Sequence, residues 1–352
     1  MHALRAVVVG AGTGGMLSIR ALCASPHFDL VGVADLSPDS RARIESEFPG
    51  VRTAADFAEL FATLSPDVVC VSTWAPSHAE VTQAAVDAGA RGLLVEKPLG
   101  DSTAAGRRVL EATRSSGVPF VVPHGLMAQA APLDIIRVVE SGALGRLVLV
   151  EMESAHWDII NAGIHWIQFF SMLTASDQVV DVLSACDTST RTYRDGMQVE
   201  TVSITIATTE AGVRLVLQTG DELRLARPDT ECVMRIVCTD GFIEYGAWDD
   251  HYTLVSAGAP RQEVTPEPLA VSGHRYHLDH LAELIANGER DERIPLASLA
   301  ALEVVDAAYL SHRIRSLVRL PLNEPETARS ENGWDPGRPY AGVGGGRDGR
   351  TL

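Results

Sequence analysis

Val7-Val8-Val9-Gly10-Ala11-Gly12-Thr13-Gly14-Gly15-Met16 is the stretch on which the reading of this 352-residue chain turns. Three valines suit a buried strand, the glycines supply a turn that no side chain obstructs, and a helix begins near Met16. In a dinucleotide site each glycine has a task. Gly10 makes the tight turn, Gly12 lets the backbone approach a pyrophosphate, and Gly15 lets the helix pack close on the strand. Thr13 and Gly14 complete the turn, whose helix offers unpaired N–H groups and a positive dipole end to the anion. A glycine-rich turn alone is weak evidence. The apolar run Leu30–Ala34 strengthens it by ending in Asp35, twenty residues beyond Gly15. There a carboxylate accepts hydrogen bonds from an adenosine ribose and repels a 2′-phosphate. Leu36-Ser37-Pro38 bring no arginine to offset it, and Arg41 and Arg43 are expected on an exposed helix face. NAD is therefore favoured over NADP.

Composition narrows the alternatives. Hydrophobic residues make up 46% of the chain, enough for a full core and against wholesale disorder. A formal charge of −17 argues against nucleic acid and against an anionic membrane surface as partners. No segment reads as a transmembrane span, and the first strand leaves no room for a secretory signal. Cys23, Cys70, Cys186, Cys232 and Cys238 are scattered and form no CxxC pair, which suits free thiols in a reducing cytoplasm and no structural zinc.

The first third of the chain alternates strands, expected at 4–9, 29–34, 67–72, 91–95 and 118–122, with helices at 15–24, 38–48, 56–63, 77–88 and 102–116. Runs such as Val68-Val69-Cys70-Val71 suit strands covered on both faces, hence a doubly wound parallel sheet of βαβ units. Ser37-Pro38 and Asp101-Ser102 carry helix-start chemistry. Beyond residue 123 the pattern changes to α+β. Helices are expected at 130–141 and 160–173, and strands at 146–154, 178–187, 200–208, 212–219, 231–238, 241–246 and 251–256. Hairpin turns at Glu210-Ala211-Gly212 and Thr239-Asp240-Gly241 imply a large open antiparallel sheet. Helices at 273–287 and 296–316 and a short segment Val318–Leu322 close the domain. The expected division is a dinucleotide-binding domain at 1–123, an α+β domain at 124–322, and a Gly/Pro-rich tail at 323–352.

A second motif, Glu96-Lys97-Pro98, follows the fifth strand. A lysine at the carboxyl end of a parallel strand points to where ligands bind in open α/β sheets, and Pro98 fixes the chain beyond it, with room for a cis bond. Elsewhere such a lysine is ordinarily solvated. Together with the amino-terminal fingerprint, Glu96-Lys97-Pro98 resembles the signature of the Gfo/Idh/MocA family, nicotinamide-dependent oxidoreductases acting mostly on sugars, sugar acids and inositols. Ser72-Thr73-Trp74-Ala75-Pro76-Ser77-His78 is similar to that family's loop along the nicotinamide side of the cofactor, and Gly163-Ile164-His165 to its segment carrying an active-site histidine. Ala301–Leu322 resembles its final helix and strand. The resemblance covers residues 4–322. It implies a Rossmann domain and a second domain whose sheet covers the active site on one face and commonly packs against another subunit on the other, giving homodimers or homotetramers.

The resemblance also assigns roles. Gly10, Gly12, Thr13, Gly14, Gly15, Asp35, Ser72, Thr73, Trp74, Pro76, His78, Glu96 and Lys97 would contact the cofactor. His165 would be the general base and Lys97 the charge that polarises the reacting oxygen, the two converging from separate lobes on the nicotinamide. Asn161 stands where the family has an aspartate, four residues before the histidine, and Gln168 where it often has an acid. Asparagine exchanges hydrogen bonds but relays no proton. Asp158 is a substitute, or simply a helix cap. His124, His156, Trp157, Asn161 and His165 are candidates for substrate contact, weighed against loop and core roles. His274, His277 and His280 at helical spacing lack the acid or cysteine cluster of a metal site and read as a polar stripe.

The function this implies is NAD-dependent hydride transfer to or from a CH–OH group of a sugar, sugar acid or cyclitol. Redox-neutral glycoside cleavage through a transient keto-sugar and non-catalytic dinucleotide sensing are the alternatives.

Overall fold

A computed structural model describes residues 3–187, 192–227 and 229–322 of the chain, so the tail expected at 323–352 lies outside the described residues. The chain divides into two compact units. Among the described residues, one comprises 3–123 with 271–296 and the other the remainder, from 124 to 270 and from 297 to 322. Residues 271–296, expected in the second domain, thus belong to the first unit.

The first unit alternates β1 (Leu4–Val9), α1 (Thr13–Ala24), β2 (Phe28–Ala34), α2 (Pro38–Glu47), β3 (Arg52–Ala54), α3 (Phe57–Leu64), β4 (Val68–Val71), α4 (His78–Asp87), β5 (Gly92–Val95), α5 (Thr103–Ser116) and β6 (Phe120–Val121). The strands form one parallel sheet in the order β3-β2-β1-β4-β5-β6. This is the doubly wound order, whose ligand crevice opens at the carboxyl ends of β1 and β4. Val7, Val8, Val68, Val69, Leu93 and Leu94 are wholly buried because helices cover both sheet faces. The helix starts follow their sequence signals. Ser37 Oγ accepts from Ser40 N with Pro38 in the first turn, and Ser102 Oγ accepts from Ala105 N. Helix α8 (Gly273–Asn287) joins this unit, sinking Leu278 and Leu281 into the cluster formed by Ala6, Val8, Ile19 and Leu22.

The second unit contains α6 (Ala130–Glu140), β7 (Leu147–Ala155), a π-helical turn at Ile159–Gly163, and α7 (Ile164–Leu173). Then come β8 (Val179–Asp187), β9 (Thr192–Arg194), β10 (Met197–Val199), β11 (Val202–Thr209), β12 (Arg214–Gly220), β13 (Cys232–Cys238), β14 (Gly241–Gly246), β15 (Tyr252–Ser256) and β16 (Gln262–Val264). Most of α9 (Arg293–Ile314) and then β17 (Val318–Arg319) complete it. The sheet runs β16-β15-β14-β13-β7-β12-β11-β8-β17, and β9 and β10 form a separate hairpin. The sheet is not purely antiparallel as expected. β7 and β12 pair in parallel at its centre, because the chain leaves β7 through α7 and the β8–β11 hairpin before returning beside it.

Helix α9 is the one described helix long and apolar enough to be compared with a membrane span. By length and composition it could cross a bilayer, yet 61% of its most apolar window is buried inside the protein's own fold. Ala301, Leu302, Val305 and Tyr309 are all core residues, the pattern of a central helix apolar on most sides.

Candidate active site

The glycine turn is dictated by space. Gly10 has φ +96°, and a Cβ there would lie 2.4 Å from the Ser72 carbonyl oxygen. A Cβ on Gly15 would lie 1.8 Å from the Gly10 carbonyl oxygen, so helix and turn touch backbone to backbone. Around Gly12, by contrast, a Cβ would meet nothing within 4 Å. Gly12 is the N-cap of α1, which has no side-chain cap and no acid in its first turn, so its positive end is left for an anion. The Asp35 carboxylate closes the turn. Its Oδ2 accepts from Ala11 N at 2.6 Å and its Oδ1 from Ser37 N at 2.8 Å, and each oxygen keeps a further lone pair for a ribose hydroxyl. This cradle fits NAD.

Arg41 and Arg43 do not simply point away on the helix face. Arg41 Nη1 donates to the carbonyls of Asp35 and Leu36, and Arg43 Nη2 donates to the Ala11 carbonyl at 2.7 Å. Two cations are therefore bonded to the backbone of the loops around Asp35, where none was expected.

Ser72, Thr73, Trp74 and Pro76 follow β4. Ser72 Oγ lies 3.4 Å from Ser18 Oγ, Ser77 Oγ donates to Thr73 Oγ1, and Trp74 is 53% exposed just before the short helical turn containing Pro76. His78, expected on the cofactor, is instead buried. Its ring nitrogens face the carbonyls of Thr73 at 2.9 Å and Pro98 at 3.0 Å, tying the two loops together. Burial pushes its pKa down, against those two bonds.

At the end of β5 the Lys97–Pro98 peptide is cis. Glu96 is 7% exposed, and a Cβ on Gly14 would lie 3.1 Å from its carboxyl group. Its Oε1 receives His274 Nε2 at 2.6 Å, and its Oε2 accepts from Lys97 N at 3.3 Å. Burial favours the neutral acid, but His274, Lys97 and His78 together hold the Glu96 pKa below its ordinary value. The histidine stripe is therefore not a solvated face. His274 serves Glu96, His277 is buried, and His280 Nε2 lies 3.4 Å from Asp291. No cluster suited to a metal occurs among the described residues.

In the second unit, Asp158 resolves as the helix cap. It is wholly buried, accepting from Ile160 N and Asn161 N and pairing with Arg194 Nη1 at 3.0 Å. Asn161 is 3% exposed and its Nδ2 donates to both Asp158 oxygens. Arg194 also binds Asp221 at 2.6 Å and stands 5.5 Å over the Trp157 ring. Beside them Glu200 accepts from Ile159 N and from the Tyr309 hydroxyl. Burial and then the Asp158 charge push its pKa up to about 7. His156 is exposed in a left-handed conformation (φ +71°) with its N–H on the Gly220 carbonyl. Gln168 is wholly buried, and its amide has no hydrogen-bond partner among the described residues.

His165 stands in the first turn of α7, half-buried among rings. Trp248 lies edge-on at 6.0 Å and Trp166 at 6.0 Å. The His165 Nδ1 faces His124 Nδ1 at 3.3 Å, and His124 Nε2 faces Ser298 Oγ at 3.0 Å. His124, a candidate for substrate contact, is wholly buried, so its reach to any ligand runs through His165. Gly125 makes room for Trp248, since a Cβ there would lie 2.7 Å from the indole. Sequence reasoning missed Trp248, Ser298, Arg194 and the role of His274. Only the histidine spacing in α8 gave any signal.

Residues 4–124 match the Gfo/Idh/MocA model, described as an oxidoreductase family with an NAD-binding Rossmann fold. Inositol 2-dehydrogenase 3 of Saccharopolyspora erythraea is 30% identical over 145 residues, which is 40% of this chain and 42% of the relative. The match thus spans less than half of that relative's length. Among solved structures, an aldose-aldose oxidoreductase from Caulobacter crescentus, complexed with glycerol, superposes with a TM-score of 0.78 at 18% identity, covering 91% of this chain and 100% of the other. A levoglucosan dehydrogenase in complex with NADH and levoglucosan gives 0.76 at 17%, covering 91% and 100%. At those identities the likeness is one of fold. Residues 4–124 of this chain, which hold the glycine turn, Asp35 and Glu96-Lys97-Pro98, are thus matched to the Gfo/Idh/MocA oxidoreductase family with its NAD-binding Rossmann fold.

Proposed function

We propose that the chain is an NAD-dependent oxidoreductase that moves a hydride between nicotinamide and a secondary alcohol or ketone of a sugar, sugar acid or cyclitol. The observation that carries this is Lys97, set beside the buried Glu96 at the carboxyl end of β5, in a family whose Rossmann unit binds NAD. Bound on the glycine turn, NAD would supply the hydride acceptor or donor. Lys97 stabilises the oxygen that becomes charged. His165 takes or returns the hydroxyl proton through Nε2, its Nδ1 being turned to His124. The Trp248 ring, edge-on to that imidazole and partly exposed, offers an apolar surface to a ring substrate, with the buried Trp166 ring packed behind it. Relatives named as inositol and levoglucosan dehydrogenases support a polyhydroxylated ring as substrate.

A homo-oligomer is part of the proposal. In β11 the usual alternation is inverted. Ser203 and Thr205 are wholly buried, while Ile204 is 47% and Ile206 40% exposed. Leu183 of β8, paired with Ile206, is also exposed. Apolar residues on an open sheet face suit a second copy of the chain.

Turnover of polyols, aldoses, uronic acids and glycosides with NAD or NADP, followed by nicotinamide absorbance and product mass, tests the reading. Stoichiometric reduced cofactor supports a dehydrogenase. Glycoside cleavage without net reduction identifies the redox-neutral alternative, favoured by Asn161 standing where a proton-relaying acid would be. Cofactor binding without turnover of any of these identifies a sensor. His165→Ala and Lys97→Ala are each expected to lower kcat by roughly a hundredfold or more.

A further inference from the structure

We propose that His124, anchored by Ser298, is the positioning and proton-sharing partner of His165, and that this pair of imidazoles does the work a carboxylate would otherwise do. The proposal rests on the assignment of His165 as the proton-handling group.

The acid nearest to His165 in sequence, Asp158, is committed elsewhere. Asp158 caps the turn before α7 and pairs with Arg194, and Asn161 is bound to Asp158. At His165 Nδ1 the structure presents an imidazole instead, with ring planes at 89° and centroids 5.3 Å apart. His124 is wholly buried and held from behind by Ser298 at 3.0 Å.

Two facing Nδ1 atoms can share one proton, so the tautomers of the two rings are linked. In one state His165 Nδ1–H donates to His124 Nδ1, and His124 Nε2–H donates to Ser298 Oγ. His165 Nε2 is then bare, ready to accept a proton. In the other state the Ser298 hydroxyl donates to His124 Nε2, and His124 Nδ1–H donates to His165 Nδ1. His165 then presents Nε2–H as a hydrogen-bond donor to a substrate oxygen, and transfers a proton only once it is an imidazolium. The serine hydroxyl permits both states because it donates or accepts by rotation. A carboxylate partner would permit only the first, since an ionised acid only accepts.

The proton balance closes without a further group. In oxidation of an alcohol the O–H bond breaks and its proton joins His165 Nε2, and bound NAD would supply the acceptor for the hydride lost from carbon. The resulting imidazolium keeps Nδ1–H donated to neutral His124. Reduction runs the same steps backwards, with His165 giving its Nε2 proton to the new alkoxide.

The test uses the full chain labelled with nitrogen-15 histidine, without added ligand, beside steady-state kinetics on whichever alcohol the parent oxidises. His124→Gln keeps a group opposite Ser298 but removes the partner of His165. Ser298→Ala keeps both rings but removes the anchor. His124→Asn restores a polar atom near the Nδ1 position. The expected result is that the His165 ring-nitrogen shifts move in H124Q and S298A, because its tautomer balance changes. In H124Q kcat is expected to fall about tenfold or more with KM within about twofold, with partial recovery in H124N. Identical His165 shifts in the parent, H124Q and S298A overturn the proposal. If the parent oxidises no alcohol, the functional reading fails, but the nitrogen shifts still decide whether the two rings are coupled.

Discussion

His274 Nε2 lies 2.6 Å from Glu96 Oε1, a bond that joins α8 to the end of β5 across 178 positions of sequence. It explains how a carboxylate stays ionised against the glycine turn. Burial opposes the charge, and the neighbouring His274, Lys97 and His78 outweigh it. Removing one partner of a buried charged pair leaves the other uncompensated, which costs about 1–3 kcal/mol or more. His274→Ala is therefore expected to lower thermal stability and weaken NAD binding by about tenfold, with His274→Gln recovering part of both. Because the Glu96 pKa is lowered in the fold, its contribution is present above its ordinary value of 4.5 and is lost as pH falls through the folded value. Melting curves and cofactor titrations of H274A that overlay the parent would rule out this role.

The proposed preference for NAD rests on Asp35, whose loop also holds Arg41 and Arg43 through backbone carbonyls. Asp35→Ala removes the proposed ribose acceptor and the anchor of Ala11 N, and leaves Arg41 and Arg43 bonded to the backbone of the adjoining loops. NAD affinity is expected to fall roughly tenfold to a hundredfold, the scale of a hydrogen bond to a charged group. The preference over NADP should narrow or reverse. Calorimetric titration of both cofactors checks this, and unchanged affinities for both would remove Asp35 from the site.

Glu200 gives a pH signature. Its pKa is raised to about 7 from 4.5, so the folded state keeps a proton that the unfolded chain has released. The stabilisation is full below about pH 4.5 and is lost as pH rises towards 7. Over that window it amounts to about 3 kcal/mol. Glu200→Gln, which stays neutral, should remove this part of the slope. Denaturant unfolding of parent and variant at matched pH values checks it, and parallel stability–pH curves would show that Glu200 titrates alike in both states.

The inverted strand makes an assembly prediction. Ile206→Arg or Leu183→Arg puts a charge on the exposed apolar face without disturbing the buried Ser203 and Thr205. Either variant should sediment as a smaller species than the parent while keeping its far-ultraviolet dichroism. An unchanged sedimentation coefficient would show that this face is not an interface.

Much of the fold was legible because the residues carry local periodicity. Val68–Val71 reads as a strand since both of its faces are buried, and the hairpins at Gly212 and Gly241 read from turn chemistry. Other features were hidden for equally physical reasons. Arg52–Ala54 and Gln262–Val264 are three-residue strands, too short for a pattern. The β9–β10 hairpin has the same brevity. A helical reading of 160–173 gave the right face but not the π-helical turn, which depends on Asp158 capping two amides at once. The parallel β7–β12 pair has no local mark, because pairing direction is set by where the intervening chain travels.

By itself the sequence determined the chemistry that contiguous residues can carry. That includes the glycine turn, the acid that ends β2, the lysine that ends β5, and the alternation that makes one unit α/β and the other α+β. Only the tertiary structure decided the partnerships. His124 meets His165 across 41 positions and Ser298 across 174, and Glu96 meets His274 across 178. A short motif records what one turn of backbone requires. A hydrogen bond between distant side chains depends on how helices and strands pack, which no single stretch of the chain encodes.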